Sequence, residues 1–437
     1  MRGWGPSARR NSLAVVGVMI LAGACTPGLG QQAPTRGSDI TIGIPLATTG
    51  SDEQEAALTR QGYDLWLDWA NRGGGIEVKG VRHRVRLLYE NDNSNPQQSA
   101  QVAQQLIVKD RARFLLGPYG TLSTAAVAAV ADKARVPLVA SNAAARQIFT
   151  QGFHYVFGVV ASADQYPQAL INMVHAMNPA PKTVAVLTAD DPFSEAGAKA
   201  TIAYAMSSGL KIVYSQIYPS GLTNFDSLIE QVKARNPDML FNLGHLLESV
   251  AVNKAALDVQ LNVKLFAYAV GPAEPAFVGA LGKAANYVVT VSPWTPEAKY
   301  RASYYLNSAQ YVAAYRKKFN TNLEPSFAVA DATAAGVALQ AAIERAHSLD
   351  QLKVRNALAA LDIDTFFGRI RFDAQGENSY RSTLVVQIQN GQQLTIWPPE
   401  LATAMPLYPT PSWAERLGLP LAPPKAKLPG TGLPPGS

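Results

Sequence analysis

The stretch Asp39-Ile-Thr-Ile-Gly-Ile-Pro45, followed by Val85-Arg-Leu-Leu-Tyr89 and Phe114-Leu-Leu116, decides the fold class. These three short apolar runs are separated by longer segments, over 53–71 and 96–110, that have helical periodicity. Short apolar runs that alternate with helical segments are typical of βαβ units on a parallel sheet. The pattern therefore predicts an α/β fold built on a parallel sheet.

The same alternation begins again at residue 182 and continues to about residue 269. A weak internal repeat accompanies it, because Phe114-Leu-Leu-Gly117 and Phe241-Asn-Leu-Gly244 each lead to a serine and an alanine-rich helical segment. We therefore predict two similar parallel-sheet lobes in series. The late segments 326–346, 369–372 and 383–389 are expected to return and complete both sheets, and the resulting crossovers would form a hinge.

The N-terminus predicts export. Three arginines among the first ten residues precede the apolar run 13–24, which is shorter than the ~20 residues that a spanning helix needs. Residues 1–24 are therefore predicted to be a signal peptide, and the Gly/Pro-rich residues 25–38 a flexible tether. Cys25, the only cysteine, follows Leu21-Ala-Gly-Ala24. Lipid attachment at Cys25 is the favoured interpretation, and ordinary cleavage after Ala24 stays open.

Composition excludes several classes of protein. The formal charge of +6 falls to +3 when the predicted leader leaves with its three arginines, which is too little to predict a nucleic-acid partner. A single cysteine allows no intrachain disulfide. The chain has no G-x-S-x-G, P-loop, G-x-G-x-x-G or H-E-x-x-H motif, and its five histidines are dispersed. Neither an enzyme nor a metal or cofactor is predicted.

Two loops of small residues follow predicted strands of the first lobe. Gly117-Pro-Tyr119-Gly-Thr121-Leu-Ser123-Thr124 leads into a helix, and Ser141-Asn-Ala-Ala144-Ala145 follows the next strand. Exposed backbone N–H groups, a helix start and the hydroxyls of Thr121 and Ser123 suit a carboxylate. A simple capping loop explains either segment alone, but two neighbouring loops at carboxyl strand ends favour a ligand site.

From Asp39 to about Glu400 the chain resembles the extracytoplasmic solute-binding proteins of ABC importers, in the type I branched-chain amino-acid-binding family. The resemblance depends on the order and spacing of six segments: residues 39–50, Asn91-Asp-Asn-Ser-Asn-Pro-Gln97, the Gly117 loop, Asp190-Asp-Pro-Phe-Ser194, Asn224-Phe-Asp-Ser-Leu-Ile229 and Thr365-Phe-Phe-Gly368. It implies two lobes that close over a ligand about a three-segment hinge, with no cofactor.

The resemblance also implies domain boundaries. Lobe 1 would comprise 39–158 and 292–372, and lobe 2 would comprise 159–291 and 373–405. The proline-rich residues 406–437 are expected to be a disordered tail.

Site residues transfer from the family one by one. Thr121 stands where a hydroxyl meets the ligand carboxylate, and Ala144 where a backbone N–H does so. Ala145 replaces a threonine, Phe193 replaces a ligand-facing tyrosine, and His245 falls near another such tyrosine. The first two replacements make the site more apolar.

Val270 is the departure with the largest consequence, because the family places there the glutamate that pairs with an α-ammonium group. A buried ammonium without that partner would cost several kcal/mol. The sequence therefore favours a carboxylate with an apolar or aromatic body, stacked against Tyr119, Phe193 or Tyr268. Glu274, in a nearby loop, can substitute as the ammonium partner, so amino acids stay open as ligands.

The leading hypothesis is a monomeric binding protein that delivers its solute to an ABC permease complex in the membrane from the periplasm or the cell surface. The alternative is the same fold used as a sensor that reports occupancy to a receptor or regulator. A secreted enzyme is the least supported class, because no nucleophile with a base and no metal set is found.

Overall fold

The structure is a computed structural model that describes residues 1, 35–380 and 383–418. Residues 2–34 lie outside the described residues. They comprise the predicted signal peptide after Met1, the predicted lipid attachment site Cys25, and residues 26–34 of the predicted tether.

Helices and strands alternate along most of the chain. The strands are β1 (Thr35–Arg36), β2 (Ile40–Pro45), β3 (Ile76–Val78), β4 (Val81–His83), β5 (Val85–Glu90), β6 (Phe114–Leu116), β7 (Leu138–Ala140), β8 (Val156–Gly158), β9 (Thr183–Ala189), β10 (Lys211–Tyr218), β11 (Met239–Leu243), β12 (Leu265–Tyr268), β13 (Val289–Ser292), β14 (Asp362–Thr365), β15 (Gly368–Arg371), β16 (Leu384–Gln389) and β17 (Gln392–Trp397). The α-helices are α1 (Glu53–Ala70), α2 (Pro96–Val108), α3 (Thr121–Ala134), α4 (Tyr166–Ala176), α5 (Pro192–Ser207), α6 (Asp226–Arg235), α7 (Leu246–Asp258), α8 (Pro275–Leu281), α9 (Ser308–Phe319), α10 (Phe327–Ala346), α11 (Gln351–Ala359) and α12 (Trp413–Leu417).

Two large sheets organise these elements. Lobe 1 contains the five-stranded parallel sheet β5-β2-β6-β7-β8, with α1–α3 and α9–α11 packed around it. Lobe 2 contains the seven-stranded sheet β10-β9-β11-β12-β13-β16-β17, with α4–α8 and α12. Its first five strands are parallel, and β16 and β17 are antiparallel. The predicted α/β fold with two parallel-sheet lobes is confirmed.

The core of lobe 1 depends on the close approach of α1 and α10. A Cβ at Gly62 would collide with the Val329 carbonyl oxygen, and a Cβ at Gly336 would collide with the Trp66 ring. The Thr333 hydroxyl donates to the Gly62 carbonyl at 2.8 Å. In the described part of the chain, only α10 is long and apolar enough to cross a membrane, but 94% of that window is buried, as expected for a core helix.

The chain passes between the lobes three times, after β8, after β13 and after β15. The first and third passages are held together: the Gly158 N–H donates to the Gly376 carbonyl at 2.8 Å, and the Asn378 amide donates to the Val159 carbonyl at 2.9 Å. An ion pair of 3.2 Å joins Arg146 to Glu377. These passages form the three-segment hinge.

Two expectations need correction. The predicted strand 369–372 does not enter the first sheet, because β15 pairs with β14 in a separate hairpin. Residues 406–418 of the predicted disordered tail are ordered, since Trp413 is 1% exposed and donates through Nε1 to the Leu261 carbonyl at 2.6 Å. Residues 419–437 of this tail lie outside the described residues. A buried indole offsets the disordering effect of the surrounding prolines.

Candidate functional site

The carboxyl ends of both sheets face one another across the hinge. There the lobes enclose a cavity of about 30 Å³, which we call the central cavity. Its lining is Tyr119, Gly120, Thr121, Asn142, Ala144, Val160, Tyr166, Phe193, His245, Val270, Phe327 and Asp331. Ligands of open α/β sheets bind at this edge.

Lobe 1 contributes the start of α3. Gly120 precedes the helix with φ 85° and ψ 150°, a conformation that favours glycine, and its N–H donates to the Asn142 carbonyl at 3.1 Å. No side chain caps α3, and Thr121 of its first turn lines the central cavity. Uncapped N–H groups at a helix start attract an anion.

Lobe 2 contributes rings and charge. Asp191 caps α5 by accepting from the Phe193 and Ser194 N–H groups at 2.9 and 3.1 Å, and its other oxygen lies 3.5 Å from His245 Nε2. The Phe193 ring packs between Tyr166 and His245, at centroid distances of 5.7 and 5.4 Å. One wall of the central cavity is therefore aromatic.

His245 joins the lobes. Its Nδ1 lies 3.3 Å from the Tyr119 hydroxyl of lobe 1. Burial alone would lower the pKa of His245, but the hydrogen bond and charge of Asp191, with the charges of Glu248 and Glu55, raise that pKa to about 9. Burial likewise opposes ionisation of Asp191, yet its contact with His245 lowers its pKa. The two groups form an imidazolium–carboxylate pair at neutral pH.

A wider opening of about 290 Å³, which we call the outer cleft, adjoins the central cavity at Tyr119, Thr121 and His245. Carboxylates of both lobes line it, namely Asp52, Glu55, Asp190, Asp191 and Glu248. Burial raises the pKa of Asp52 and of Glu55, and the carboxylates facing them add to the effect. The closed lobes therefore bring like charges together.

Glu274 lies in the loop after β12 and is 1% exposed. Burial, with the charge of Glu55, raises its pKa to about 8. Ser326 is close enough to lower this pKa, yet among the described residues neither oxygen of the Glu274 carboxylate completes a hydrogen bond. A buried carboxylate without a hydrogen bond is costly.

The structure brings most of the predicted site residues together. The central cavity is lined by Tyr119, Thr121, Ala144, Phe193, His245 and Val270. Ser123 lines the outer cleft instead. Ala145 is 0% exposed and lines neither opening, and Tyr268 is also fully buried, with its hydroxyl 3.2 Å from Asn253. Cys25, the predicted lipid attachment site, lies outside the described residues.

Sequence reasoning missed several lining residues. Asp331 is one of them, and it is the only charged residue in the apolar run 327–343, a signal that was available. Tyr166 and Phe327 lie at the starts of α4 and α10, and no local pattern distinguishes them from core aromatics. Within 35–380 and 383–418, no group of three or more His, Cys, Asp or Glu side chains could hold a metal ion.

Known proteins share this architecture. Residues 39–393 match the family described as periplasmic binding protein. The Leu/Ile/Val-binding protein homolog 7 of Brucella abortus is 23% identical over 371 residues, which cover 81% of this chain and 88% of that protein. The chain therefore belongs to the periplasmic binding protein family, and membership implies an extracytoplasmic location.

Solved structures show the same type I periplasmic binding protein fold. The substrate-binding protein LivJ of Streptococcus pneumoniae, in complex with isoleucine, superposes with a TM-score of 0.71 at 21% identity, covering 81% of this chain and 97% of that one. A solute-binding protein of an ABC transporter from R. palustris, in complex with benzoate, has a TM-score of 0.71 at 16% identity, covering 82% and 95%.

Proposed function

We propose that this protein is the solute-binding component of an ABC importer. It captures a small organic solute between its lobes and delivers the solute to a permease complex in the membrane. Family membership, the three-segment hinge and the enclosed site between the lobes support this proposal. Closure of a hinge around a ligand is the change that a transporter can recognise.

The solute class follows from the two walls of the central cavity. The uncapped start of α3 offers N–H groups and the Thr121 hydroxyl to an anionic group of the solute. The rings of Tyr166, Phe193 and Phe327 offer apolar surface to the rest of the solute. A carboxylate on an apolar or aromatic body satisfies both walls. Isoleucine and benzoate, the ligands of the two structural neighbours, share these parts. The uncapped start of α3, which lines the same cavity as the rings, is the observation on which the proposal rests.

Binding requires the lobes to separate first. A cavity of about 30 Å³ has room for two or three waters at most, since one water needs roughly 10–15 Å³. An amino-acid-sized solute is much larger, so we expect the hinge to open, admit the solute and close less far than in the present structure.

Thermal unfolding of the mature protein tests the solute class. The panel pairs leucine with 4-methylpentanoate and phenylalanine with 3-phenylpropanoate, and adds benzoate and benzamide. A true ligand at a hundredfold excess over its Kd adds ~2.7 kcal/mol of stability, which raises the midpoint by several degrees. Benzamide is the control without a carboxylate, and a panel in which no carboxylate raises the midpoint would contradict the proposal.

Delivery is tested separately by uptake of the labelled solute. We expect cells without this protein to lose high-affinity uptake and to regain it when the wild-type protein is restored. Unchanged uptake, despite binding in solution, would favour the sensor hypothesis.

We further propose that the protein acts as a monomer anchored through lipid on Cys25, after removal of residues 1–24. The isolated cysteine directly after small residues supports this attachment. Detergent phase partitioning of the wild type and of the Cys25→Ala variant tests it. The wild type should enter the detergent phase and the variant the aqueous phase, whereas equal partitioning would favour ordinary cleavage after Ala24.

A further inference from the structure

The outer cleft is acidic on both of its sides. Two of the five carboxylates that line it belong to lobe 1, and three belong to lobe 2. Among the described residues of this lining there is no lysine or arginine. His245 is the one cationic residue there, and it pairs with Asp191 at 3.5 Å. More negative than positive charge therefore remains in the cleft when the lobes are closed.

One of these carboxylates differs from the other four. Four accept a hydrogen bond at 2.6 to 2.9 Å from a donor of the protein, namely Asp52, Asp190, Asp191 and Glu248. Glu55 is only 6% exposed, yet its carboxylate accepts no hydrogen bond from any other residue that the structure describes. A buried acceptor without a donor is costly, so Glu55 requires a partner.

The helix starts explain why Glu55 lacks a donor. Glu248 is the third residue of α7 and accepts from the His245 N–H at 3.2 Å, the usual bond of a capping box. Glu55 is the third residue of α1, but the Asp52 N–H donates instead to the Ser94 hydroxyl at 3.1 Å. The Glu55 side chain is therefore not used as a cap, and it lines the outer cleft.

The outer cleft adjoins the proposed anion site. Thr121, at the start of α3, lines both the outer cleft and the central cavity, as does Tyr119. Burial is the main cause of the raised pKa of Tyr119, and the charge of Glu55 adds to it. A solute that is held by its carboxylate at Thr121 has room to extend a second group into the outer cleft, toward Glu55.

We infer that the outer cleft is a subsite for a cationic group of the solute, remote from the solute's carboxylate, and that Glu55 is the principal partner of that group. The inference rests on the proposed function, because it concerns a second group of the same solute. Its basis is a carboxylate that is more than nine-tenths buried, lines the cleft and has no donor among the other described residues. An ammonium or guanidinium group supplies both the missing N–H donors and the missing positive charge.

Closure of the lobes gives this pairing its physical effect. Burial raises the pKa of Glu55, and the charges of Asp52 and Glu248 add to the rise, while the charge of His245 opposes it. Closing the lobes over an ionised Glu55 without a partner is therefore unfavourable. A cationic group in the outer cleft offsets this cost, whereas a solute of the same shape without the charge leaves it in place.

Titration calorimetry of the full mature chain at pH 7 tests the inference. The probes are 4-aminobutanoate, 5-aminopentanoate, 6-aminohexanoate and 4-(aminomethyl)benzoate. Their partners are pentanoate, hexanoate, heptanoate and 4-ethylbenzoate, in which a methyl group replaces the ammonium group. None of the probes has an amine next to the carboxylate, so they report only on a remote cation. The variants are Glu55→Gln and, as a matched control, Glu53→Gln, which changes an exposed residue in the same turn of α1.

We expect the wild type and Glu53→Gln to bind at least one ammonium probe about tenfold more tightly than its methyl partner. In Glu55→Gln this preference should fall to about twofold or less, while the affinity for the methyl partner is kept. If Glu55→Gln does not fold, Ser94→Ala decides. That variant frees the Asp52 N–H to accept Glu55 into a capping box, so it should lower the same preference.

Equal affinity within every pair would overturn the inference and leave the proposed function standing. An unchanged preference in Glu55→Gln would also overturn it, because the cation would then lie elsewhere. If no member of any pair binds but a carboxylate of the thermal unfolding panel does, the subsite is overturned and the carboxylate class stands. If no carboxylate binds in either experiment, both fall.

Discussion

Lobe 1 and lobe 2 direct helix starts into the same cleft, but they satisfy those starts differently. In lobe 2, Asp191 accepts from the first N–H groups of α5, and Glu248 accepts from the His245 N–H before α7, at 3.2 Å. In lobe 1, α3 follows Gly120 and has no side-chain cap. Two helix starts of lobe 2 are thus capped by carboxylates of the protein, whereas the starts of α1, α3 and α10 in lobe 1 have no side-chain cap.

The comparison separates two roles within one fold. The anion site that we propose in lobe 1 is made largely of backbone N–H groups, so it should depend little on which small residues build it. Lobe 2 offers side-chain charge and aromatic rings, so single substitutions there change both selectivity and stability. The predictions below test this division.

The largest effect is expected from Glu274→Gln on the pH dependence of stability. The pKa of Glu274 is about 8 in the folded protein, above its ordinary value of 4.5, so the free energy of unfolding falls as pH rises from 4.5 to 8. The difference in free energy of unfolding between the variant and the wild type should therefore shift in favour of the variant, by several kcal/mol, from pH 4 to pH 9. Urea unfolding at pH 4, 7 and 9 measures the difference. If the free energy of unfolding depends on pH in the same way in the wild type and in the variant, the Glu274 carboxylate is solvated in the free protein.

His245→Gln should have the next largest effect. The pKa of His245 is raised from 6.5 to about 9, so its stabilisation is complete below pH 6.5 and is lost as pH rises through about 9. The groups that raise the pKa are Asp191, Glu248 and Glu55, which outweigh burial. We expect the variant to be less stable than the wild type at pH 6 by a few kcal/mol and similar to it at pH 10.

The same urea unfolding series, extended to pH 10, checks the result for His245. The effect of the charged imidazolium should disappear at high pH. If the variant loses the same free energy of unfolding at pH 6 and at pH 10, the result would contradict a role for the imidazolium.

A smaller effect is expected in lobe 1 from Thr121→Ala. The variant loses one hydroxyl beside the uncapped N–H groups, so carboxylate affinity should fall by about tenfold, while Thr121→Ser should keep most of it. Calorimetry with the tightest carboxylate of the panel measures the change. A loss of several hundredfold would mean that the hydroxyl, and not the helix backbone, dominates the anion site.

The smallest effect is expected from Ser123→Ala. Ser123 lines the outer cleft and not the central cavity, so carboxylate affinity should change by less than about twofold. The same calorimetry gives the answer. A loss as large as that of Thr121→Ala would extend the anion site to the whole first turn of α3.

Much of the architecture was predictable from local pattern. The strand run 114–116 agrees with the structure to the residue, because a buried parallel strand shows as a short apolar run wherever it lies in the fold. The late segment 369–372 was misplaced because its partner, β14, makes a hairpin that sequence alone does not distinguish from a sheet strand.

The argument at Val270 shows where local inference ends. The absence of a carboxylate at that position favoured a solute without an amine. The folded chain nonetheless places Asp331 of lobe 1 in the lining and buries Glu274 of lobe 2 four residues after Val270. A charge balance can be counted only when all groups around a site are known.

By itself, the sequence determined the fold class, the two-lobed organisation and the small-residue loops of lobe 1, since periodicity, turn residues and strand ends are local properties of the chain. Only the tertiary structure decided which carboxylates line the cleft, which helix starts have no side-chain cap and which aromatic rings line the central cavity. Those features depend on contacts between residues more than a hundred positions apart, such as Tyr119 with His245, and no local pattern records them.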